Sequence, residues 1–437
     1  MKKETFWDKK IETADRKILD SLKLKQLKRL VGYALRTVFY KSRLKAVGIS
    51  SPRDIRSLKD LARIPFTTKD DLRECYPNGL LSVPMSRVVR IHTSSGTTGI
   101  PTVIHHTQKD LNSWTDLVAR SISATGAGKQ DIFQNMMTYG MFTGGLGLHY
   151  GAERVGMTVI PMGGGNTRRQ IQIMRDFGTT VLHITPSYML HLYSMLSECG
   201  ATLKDFKLKK AYLGAEPYSE DTRSKIEKMW QIDAYNSYGL SEMNGPGVAF
   251  ECVYKTGMHV WEDVYHVEIV DPKTGELLDD GLEGELVFTN LLREATPLLR
   301  YRTRDMAAIL KGSCPCGRTH RRLSRITGRT DDMLIINGVN VYPSQIESVV
   351  MKMPEVGNNY QICLEKDGAL DSLTVKIEIS SRMFQGDLGL IDRLKERIKE
   401  SLRASIVINP RVELHEPGSL PVFEGKAKRV VDNRIKI

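Results

Sequence analysis

Apolar positions fall in two spacings along this chain, and the change between them marks out its elements. In the first part Leu19, Leu22, Leu27 and Leu30 recur at helical intervals among lysines. This predicts amphipathic helices with solvated basic faces. The run Ile64-Pro65-Phe66-Thr67-Thr68-Lys69 then leads into a further helix, with Thr67 or Thr68 as its cap. Short apolar runs and periodic stretches alternate after that. Val88, Val89 and Ile91, and then Val103 and Ile104, read as strands flanking a loop, and Leu111 to Thr125 reads as a helix. Strands are expected at 157–162, 180–185 and 210–214, each followed by a helix: Thr167 to Phe177, Pro186 to Ser197 and Tyr218 to Trp230. Such alternation predicts a doubly wound α/β sheet with ligand loops at the strand C-termini.

From Val264 the texture changes. Val267–Val270 and Gly284–Thr289 read as antiparallel strands with turns at Asp271-Pro272 and Asp280-Gly281, a small β-rich subdomain. Past Gly328-Arg329-Thr330-Asp331-Asp332 comes an α+β unit: strand Met333–Ile336, helix Pro343–Met351, strands Gln361–Glu365 and Ser372–Ile379, and helix Leu388–Arg403. The boundary is placed near Asp331, giving a large domain over 1–330 and a small one over 331–437. No internal repeat or low-complexity tract interrupts this order.

Composition narrows the function classes. The chain has 437 residues, more than one compact core holds. Its net charge is +12, but the basic residues are spread and no interleaved aromatics offer a stacking platform, so nucleic acid is not the expected ligand. A basic surface also suits polyanions such as ATP or coenzyme A. No run approaches the length of a membrane span, and Met1-Lys2-Lys3-Glu4 is charged with no apolar core after it. No membrane association and a cytoplasmic location are therefore expected.

The richest chemistry lies in Thr93-Ser94-Ser95-Gly96-Thr97-Thr98-Gly99-Ile100-Pro101. Its glycines allow close backbone approach, and its hydroxyls can donate to phosphate oxygens. No Gly-Lys-Ser/Thr follows, so this is not a Walker A loop, and the glycine spacing is not a Rossmann fingerprint. A plain Ser/Thr/Gly hairpin turn would have the same composition.

Four further segments follow in order: Leu213-Gly214-Ala215-Glu216-Pro217, Tyr235-Asn236-Ser237-Tyr238-Gly239-Leu240-Ser241-Glu242, Leu299-Arg300-Tyr301-Arg302-Thr303-Arg304-Asp305, and the long run from Thr327 through Arg329, Asp331, Asn337-Gly338-Val339-Asn340 to Glu347. Leu420-Pro421-Val422-Phe423-Glu424-Gly425-Lys426-Ala427-Lys428-Arg429 closes the series. In this order and spacing they resemble the adenylate-forming superfamily of acyl-CoA synthetases, adenylation domains and luciferases. Within it the chain resembles most the phenylacetate–coenzyme A ligases and coenzyme F390 synthetase-like proteins, over essentially its whole length.

The resemblance implies an acid–thiol ligase that joins an arylacetate, phenylacetate foremost, to coenzyme A through an acyl-adenylate. It also implies a mobile C-terminal domain. All reactants are anionic, so neutralisation and positioning should dominate catalysis. Ser94, Ser95, Gly96, Thr97, Thr98 and Gly99 would hold the β- and γ-phosphates, and Glu242 would ligate Mg2+, although a carboxylate there could simply cap a helix. Tyr238 would stack on adenine, if it is not an ordinary core tyrosine. Ala215, Glu216 and Pro217 would border the purine, with Asn236 and Gly239 beside it and Ser241 at the α-phosphate.

Asp305 would accept both ribose hydroxyls, unless Arg302 or Arg304 pairs with it, and Arg329 would touch ribose or phosphate. Lys426, which by itself reads as part of a solvated basic run, becomes by position the residue that neutralises charge between the carboxylate and the α-phosphate. Asp331 would be the hinge, and Gly338 would line a pantetheine tunnel. Tyr139, Phe142, Gly144, Gly145 and Gly214 would form the acyl pocket, though such glycines also serve tight helix–strand packing. The same chemistry on indoleacetate or a benzoate stays open, as does a nucleotide-binding relative without ligase activity. The presence of Lys426, Glu242 and Asp305 argues against the last. Family habit makes the helical N-terminus a surface for a homodimer.

Six cysteines are too few and too uneven for a disulfide framework. Cys252, His259, Cys314 and Cys316 nevertheless make a Cys3His set suited to structural zinc, with His320 and His266 as fallback ligands. The tight Cys-Pro-Cys spacing leaves free reduced thiols as the alternative.

Overall fold

The computed structural model describes residues 5–94, 100–367, 370–381, 383, 388–421 and 427–434. The expected contacts of Ser95, Gly96, Thr97, Thr98, Gly99 and Lys426 therefore lie outside the described residues. The chain forms two compact units. The first comprises Met1–Gly163, Val181–His183 and Tyr235–Ile326, and the second Gly164–Thr180, Ile184–Ala234 and Thr327–Ile437.

The first unit opens with the short helix Lys9–Glu12, and helices Arg16–Ala34 and Val38–Ala46 follow. Leu19, Leu27, Leu30 and Val31 are fully buried on Arg16–Ala34, but Leu22 of the expected face is only half-buried. Lys23 is not solvated: it is buried with its Nζ 3.6 Å from Glu262. Each of the fully buried apolar side chains contributes about 1.5–3 kcal/mol by leaving water. Thr68 caps the short helix Lys69–Glu74 reciprocally with Asp71.

Strands Val88–Thr93 and Val103–Thr107 pair antiparallel across the loop that interrupts them. Helix Gln108–Ala124 follows, capped by Thr107 and Asp110. Strand Ile132–Asn135 pairs in parallel with Thr158–Ile160 on one side and with Val181–Ile184 on the other. Strand order reverses at Ile132–Asn135, and ligands of α/β sheets gather outside the carboxyl end of a strand at such a point. The segment 136–142, which holds two of the expected pocket residues, leaves the sheet there.

The β-rich part of this unit is an antiparallel run. Its strands succeed one another in space as Asp233–Leu240, Gly245–Glu251, Met258–Val260, Arg322–Leu323, Tyr301–Leu310, Glu283–Asn290 and Tyr265–Val270.

In the second unit, strand Lys210–Leu213 and helices Thr167–Asp176, Pro186–Ser194 and Glu220–Trp230 form one part. The C-terminal part begins with the hairpin Leu334–Ile336/Val339–Val341. Helix Pro343–Met351 and a four-stranded sheet follow. The sheet order is Arg411–His415, Leu370–Ile379, Val356–Asp367, Val430–Asp432, with antiparallel pairing at its centre and parallel pairing at both edges. Helix Leu388–Ile406 packs beside Pro343–Met351. Within this unit, Pro343–Met351 also lies against helix Glu220–Trp230.

Candidate active site

In the first unit the expected phosphate loop begins at Ser94, and its described end meets a carboxylate. The Thr102 hydroxyl donates to Ser94 Oγ at 2.7 Å and lies 3.4 Å from Glu242 Oε1. Glu242 is buried, in the short helical turn Ser241–Met243 that ends strand Asp233–Leu240. The turn is fixed from behind by Arg293, a fully buried guanidinium that donates to the Glu242 carbonyl at 2.9 Å and to Asn244 Oδ1. Asn244 holds φ at 81°, a left-handed conformation that asparagine tolerates better than most residues. Ser241 Oγ lies 3.2 Å from Thr143 Oγ1, at the start of helix Thr143–Val155. Carboxylate and hydroxyl oxygens gathered in this way make a hard donor set suited to Mg2+.

One strand turn earlier, the Tyr238 hydroxyl donates to Asp305 Oδ2 at 2.6 Å, and its ring is offset-stacked on Phe288 at 6.2 Å. Of the arginines beside Asp305, Arg302 pairs with Glu285 and Arg304 with Asp70. Asn236 is buried, and its N–H donates to Glu251 at 2.8 Å. Gly239 is dictated by the hairpin, because a Cβ there would lie 2.0 Å from the Gly245 carbonyl oxygen.

The expected acyl-pocket segment is organised by Asn135, which sequence reasoning missed. Its Oδ1 accepts from the Met137 N–H and from His183 Nδ1, and its Nδ2 donates to the Tyr139 hydroxyl at 3.0 Å and to the Gly145 carbonyl. All four of its hydrogen-bonding positions are thus used. The Tyr139 hydroxyl also meets His149 Nδ1 at 3.1 Å, and His149 pairs with Glu153. Burial pushes the Tyr139 pKa up to about 12 and His183 down to about 3, so both are neutral near pH 7. Phe142 is 40% exposed at the start of the next helix. Gly144 has room for a side chain, with Met137 no nearer than 3.7 Å, whereas a Cβ on Gly145 would lie 2.8 Å from the Thr138 carbonyl oxygen. The strand Ile132–Asn135 was not read from the sequence either, and nothing in its spacing marks Asn135.

In the second unit Gly214 is buried at the end of strand Lys210–Leu213, and Ala215 is exposed with φ 68°. A left-handed alanine costs on the order of 1–2 kcal/mol. The turn turns the Glu216 carboxylate onto the Ser187 N–H at 2.7 Å and the Ala427 N–H at 3.0 Å. Burial raises its pKa, and these two donors oppose the rise. Pro217 is exposed. Arg329 forks onto Asp331 at 2.9 and 3.1 Å, so two expected site residues meet each other. Asn337 and Gly338, with φ 51° and 83°, form the two-residue turn of the hairpin Leu334–Ile336/Val339–Val341.

The cysteine set converges in the first unit. The ligand atoms of Cys252, His259, Cys314 and Cys316 all lie within 4.8 Å of one another, and all four residues are buried. Cys252 and Cys314 Sγ are 3.7 Å apart, and Cys316 Sγ lies 3.3 Å from His259 Nε2. The sulfur–sulfur edge of a tetrahedral Zn–thiolate site is about 3.8 Å, from Zn–S bonds of about 2.3 Å. His259 Nδ1 donates to the His320 carbonyl at 3.2 Å, which turns Nε2 to the thiols. His320 points away: its Nδ1 accepts the Glu262 N–H, and its Nε2 meets the Ile11 carbonyl. Hydrogen bonds among the thiols lower the Cys314 pKa and raise that of Cys252.

Two sequence profiles match this chain: that of the AMP-binding enzymes over residues 51–290, and that of the AMP-binding enzyme C-terminal domain over 338–434. The phenylacetate-coenzyme A ligase of Pseudomonas putida is 46% identical over 97% of this chain and 96% of its own length.

The chain belongs to the phenylacetate-coenzyme A ligase family.

Another member of this ligase family, from Thermus thermophilus, is 45% identical over 98% of this chain and all of its own. Among solved structures, 2-hydroxyisobutyryl-CoA ligase in its postadenylation state, bound to an acyl-AMP, matches with a TM-score of 0.92 at 27% identity, over 98% of this chain and 92% of its own. The same ligase in its thioesterfication state, bound to acyl-AMP and CoA, matches at 0.72. The fold is that of the adenylate-forming enzymes, a large N-terminal α/β domain and a small C-terminal domain. No helix among the described residues is long and apolar enough to cross a membrane.

Proposed function

We propose that this protein activates an arylacetate, phenylacetate first, with ATP and transfers the acyl group to coenzyme A, releasing AMP and pyrophosphate. The observation that carries this is near-full-length identity of 46% to a phenylacetate-coenzyme A ligase, in a chain whose buried Glu242 stands beside the hydroxyls that open the phosphate loop.

The chemistry is two displacements. A carboxylate oxygen attacks the α-phosphorus of ATP, and the bond to pyrophosphate breaks with its electron pair leaving on pyrophosphate. The thiolate of coenzyme A then attacks the acyl carbon, and AMP departs with the electrons of the acyl–oxygen bond. Ser94 to Gly99 cradle the β- and γ-phosphates, and Ser241 donates to the α-phosphate. Glu242 and Thr102 hold Mg2+, which when bound screens phosphate charge. Tyr238 presents a ring face to adenine, pinned through its hydroxyl by Asp305, whose carboxylate also accepts the ribose hydroxyls. Ala215 and Pro217 border the purine, and Arg329 exchanges Asp331 for the nucleotide. Lys426 neutralises the charge that builds between acid and α-phosphate. Asp331 is the hinge between a domain over 1–330 and one over 331–437, and Gly338 belongs to the loop at the pantetheine channel. Tyr139, Phe142, Gly144, Gly145 and Gly214 line the aryl slot.

The Cys252–His259–Cys314–Cys316 set is proposed as a structural zinc site, closed by four protein ligands. Protein purified without added metal should carry about one zinc per chain, and stripping it with a chelator should lower the melting temperature. Metal-free protein with an unchanged melting temperature would leave the set as reduced thiols.

The experiment for the function is acid-dependent release of AMP and pyrophosphate across phenylacetate, indoleacetate, benzoate, acetate and decanoate, with and without coenzyme A. Release with phenylacetate, and a thioester only when coenzyme A is present, is expected. Preference for indoleacetate or benzoate would reassign the acid. Release with none would leave a nucleotide-binding relative.

A further inference from the structure

Four positions three residues apart in the second unit, 216, 219, 222 and 225, all bond to the chain beyond Thr327. Glu216 accepts from the Ala427 N–H at 3.0 Å. The Ser219 N–H and the Thr222 hydroxyl both donate to Glu347 Oε1, at 2.9 and 2.8 Å, and the Tyr360 hydroxyl donates to Glu347 Oε2 at 3.2 Å. Lys225 Nζ donates to the Val356 and Gly357 carbonyls at 3.1 and 2.6 Å. Arg429, two residues past Ala427, donates to the Tyr360 carbonyl at 3.0 Å and lies over the Tyr360 ring at 4.4 Å. The cap of helix Glu220–Trp230 and one of its faces therefore grip the helix Pro343–Met351 and the start of strand Val356–Asp367 directly. Tyr360 and Arg429 extend the grip to the residues that follow Lys426.

This contact is polar and specific. Glu347 is a buried carboxylate with three donors on two oxygens, and Lys225 is a half-buried ammonium whose two acceptors are main-chain carbonyls. Burial lowers the Lys225 pKa to about 8, which leaves it mostly charged at neutral pH. Directional hydrogen bonds of this kind fix a geometry. A relative of this fold matches at TM-score 0.92 in its postadenylation state and 0.72 in its thioesterfication state, at the same coverage.

We infer that the face formed by Glu216, Ser219, Thr222 and Lys225 is a docking seat, and that Lys225 and Glu347 are positioning residues that place the Lys426 segment for the adenylation half-reaction only. The inference rests on the ligase reading above.

The two half-reactions are measured separately in the full chain: arylacetate-dependent ATP–pyrophosphate exchange, and thioester formation from synthetic aryl-adenylate and coenzyme A. Lys225→Met and Glu347→Ala should lower exchange by about 10-fold or more while thioester formation stays within about two-fold. Lys225→Arg, which can still donate to two carbonyls, should recover most of the exchange. Equal loss of both half-reactions, or loss of neither, would overturn the seat. If the wild type catalyses no exchange with any acid, the ligase reading fails instead. The seat is then judged by amide hydrogen exchange of residues 343–357: faster exchange in Lys225→Met than in wild type supports it, and equal exchange refutes it.

Discussion

Asp305 lies on a strand with arginines at 300, 302 and 304, and composition alone would make it one more ion pair. The strand alternates, however, with Tyr301, Thr303, Asp305, Ala307 and Ile309 on its buried face. That pleat sends Arg302 and Arg304 to other carboxylates and leaves Asp305 facing the Tyr238 phenol at 2.6 Å. If Asp305 takes the ribose hydroxyls, Asp305→Asn removes the charge and an acceptor. The KM for ATP in adenylate formation should then rise by about 10- to 100-fold, the worth of hydrogen bonds to a charged group. An unchanged KM would remove Asp305 from the nucleotide site. Glu242, Tyr238, Asp305 and the cysteine set stand out in the sequence as candidates by residue type and order. Arg293 and Thr102, which meet Glu242, and Asn135, which holds Tyr139, do not, because such buried polar residues carry no spacing signature.

Helix Thr143–Val155 packs through glycine. A Cβ on Gly147 would lie 2.4 Å from the Trp114 ring and 2.7 Å from Pro246, and one on Gly151 would lie 2.2 Å from Val118. Gly147→Ala should therefore destabilise the protein by about 1–3 kcal/mol, read as a lowered denaturation midpoint, while Gly144→Ala should fold normally. Equal midpoints for the two variants would contradict the packing. Packing thus explains Gly147 and Gly151, whereas nothing near Gly144 requires a glycine.

Most elements were legible because their signals are local. Helix Pro343–Met351 begins with proline at its first position and matches its expected bounds. Strand Tyr301–Leu310 was not read as a strand, because its buried face is half polar and hydrophobicity does not see it. The hairpin at 334–341 was missed too. Gly338 was read as serving a close approach, although Asn-Gly between apolar pairs is a strong two-residue turn signal.

Across the whole molecule, the order of motifs was enough to name the family, since six segments in sequence constrain a fold more than any one of them. It could not show that Glu216 reaches Ala427 or that Glu347 meets Ser219 and Thr222, contacts separated by more than a hundred residues. Those contacts tie the strand-end turn after Lys210–Leu213 to the chain that carries Lys426, and they give the two half-reactions a physical reason to differ. Their shared prerequisite is the acyl-adenylate itself. The decisive measurement is a single turnover with the protein in excess over ATP, with Mg2+ and phenylacetate, quenched and analysed by mass before and after coenzyme A is added. Phenylacetyl-AMP and pyrophosphate should form first, and the adenylate should then become phenylacetyl-CoA and AMP. Thioester formation with ADP and phosphate as products, or with no adenylate at any time, would contradict the mechanism.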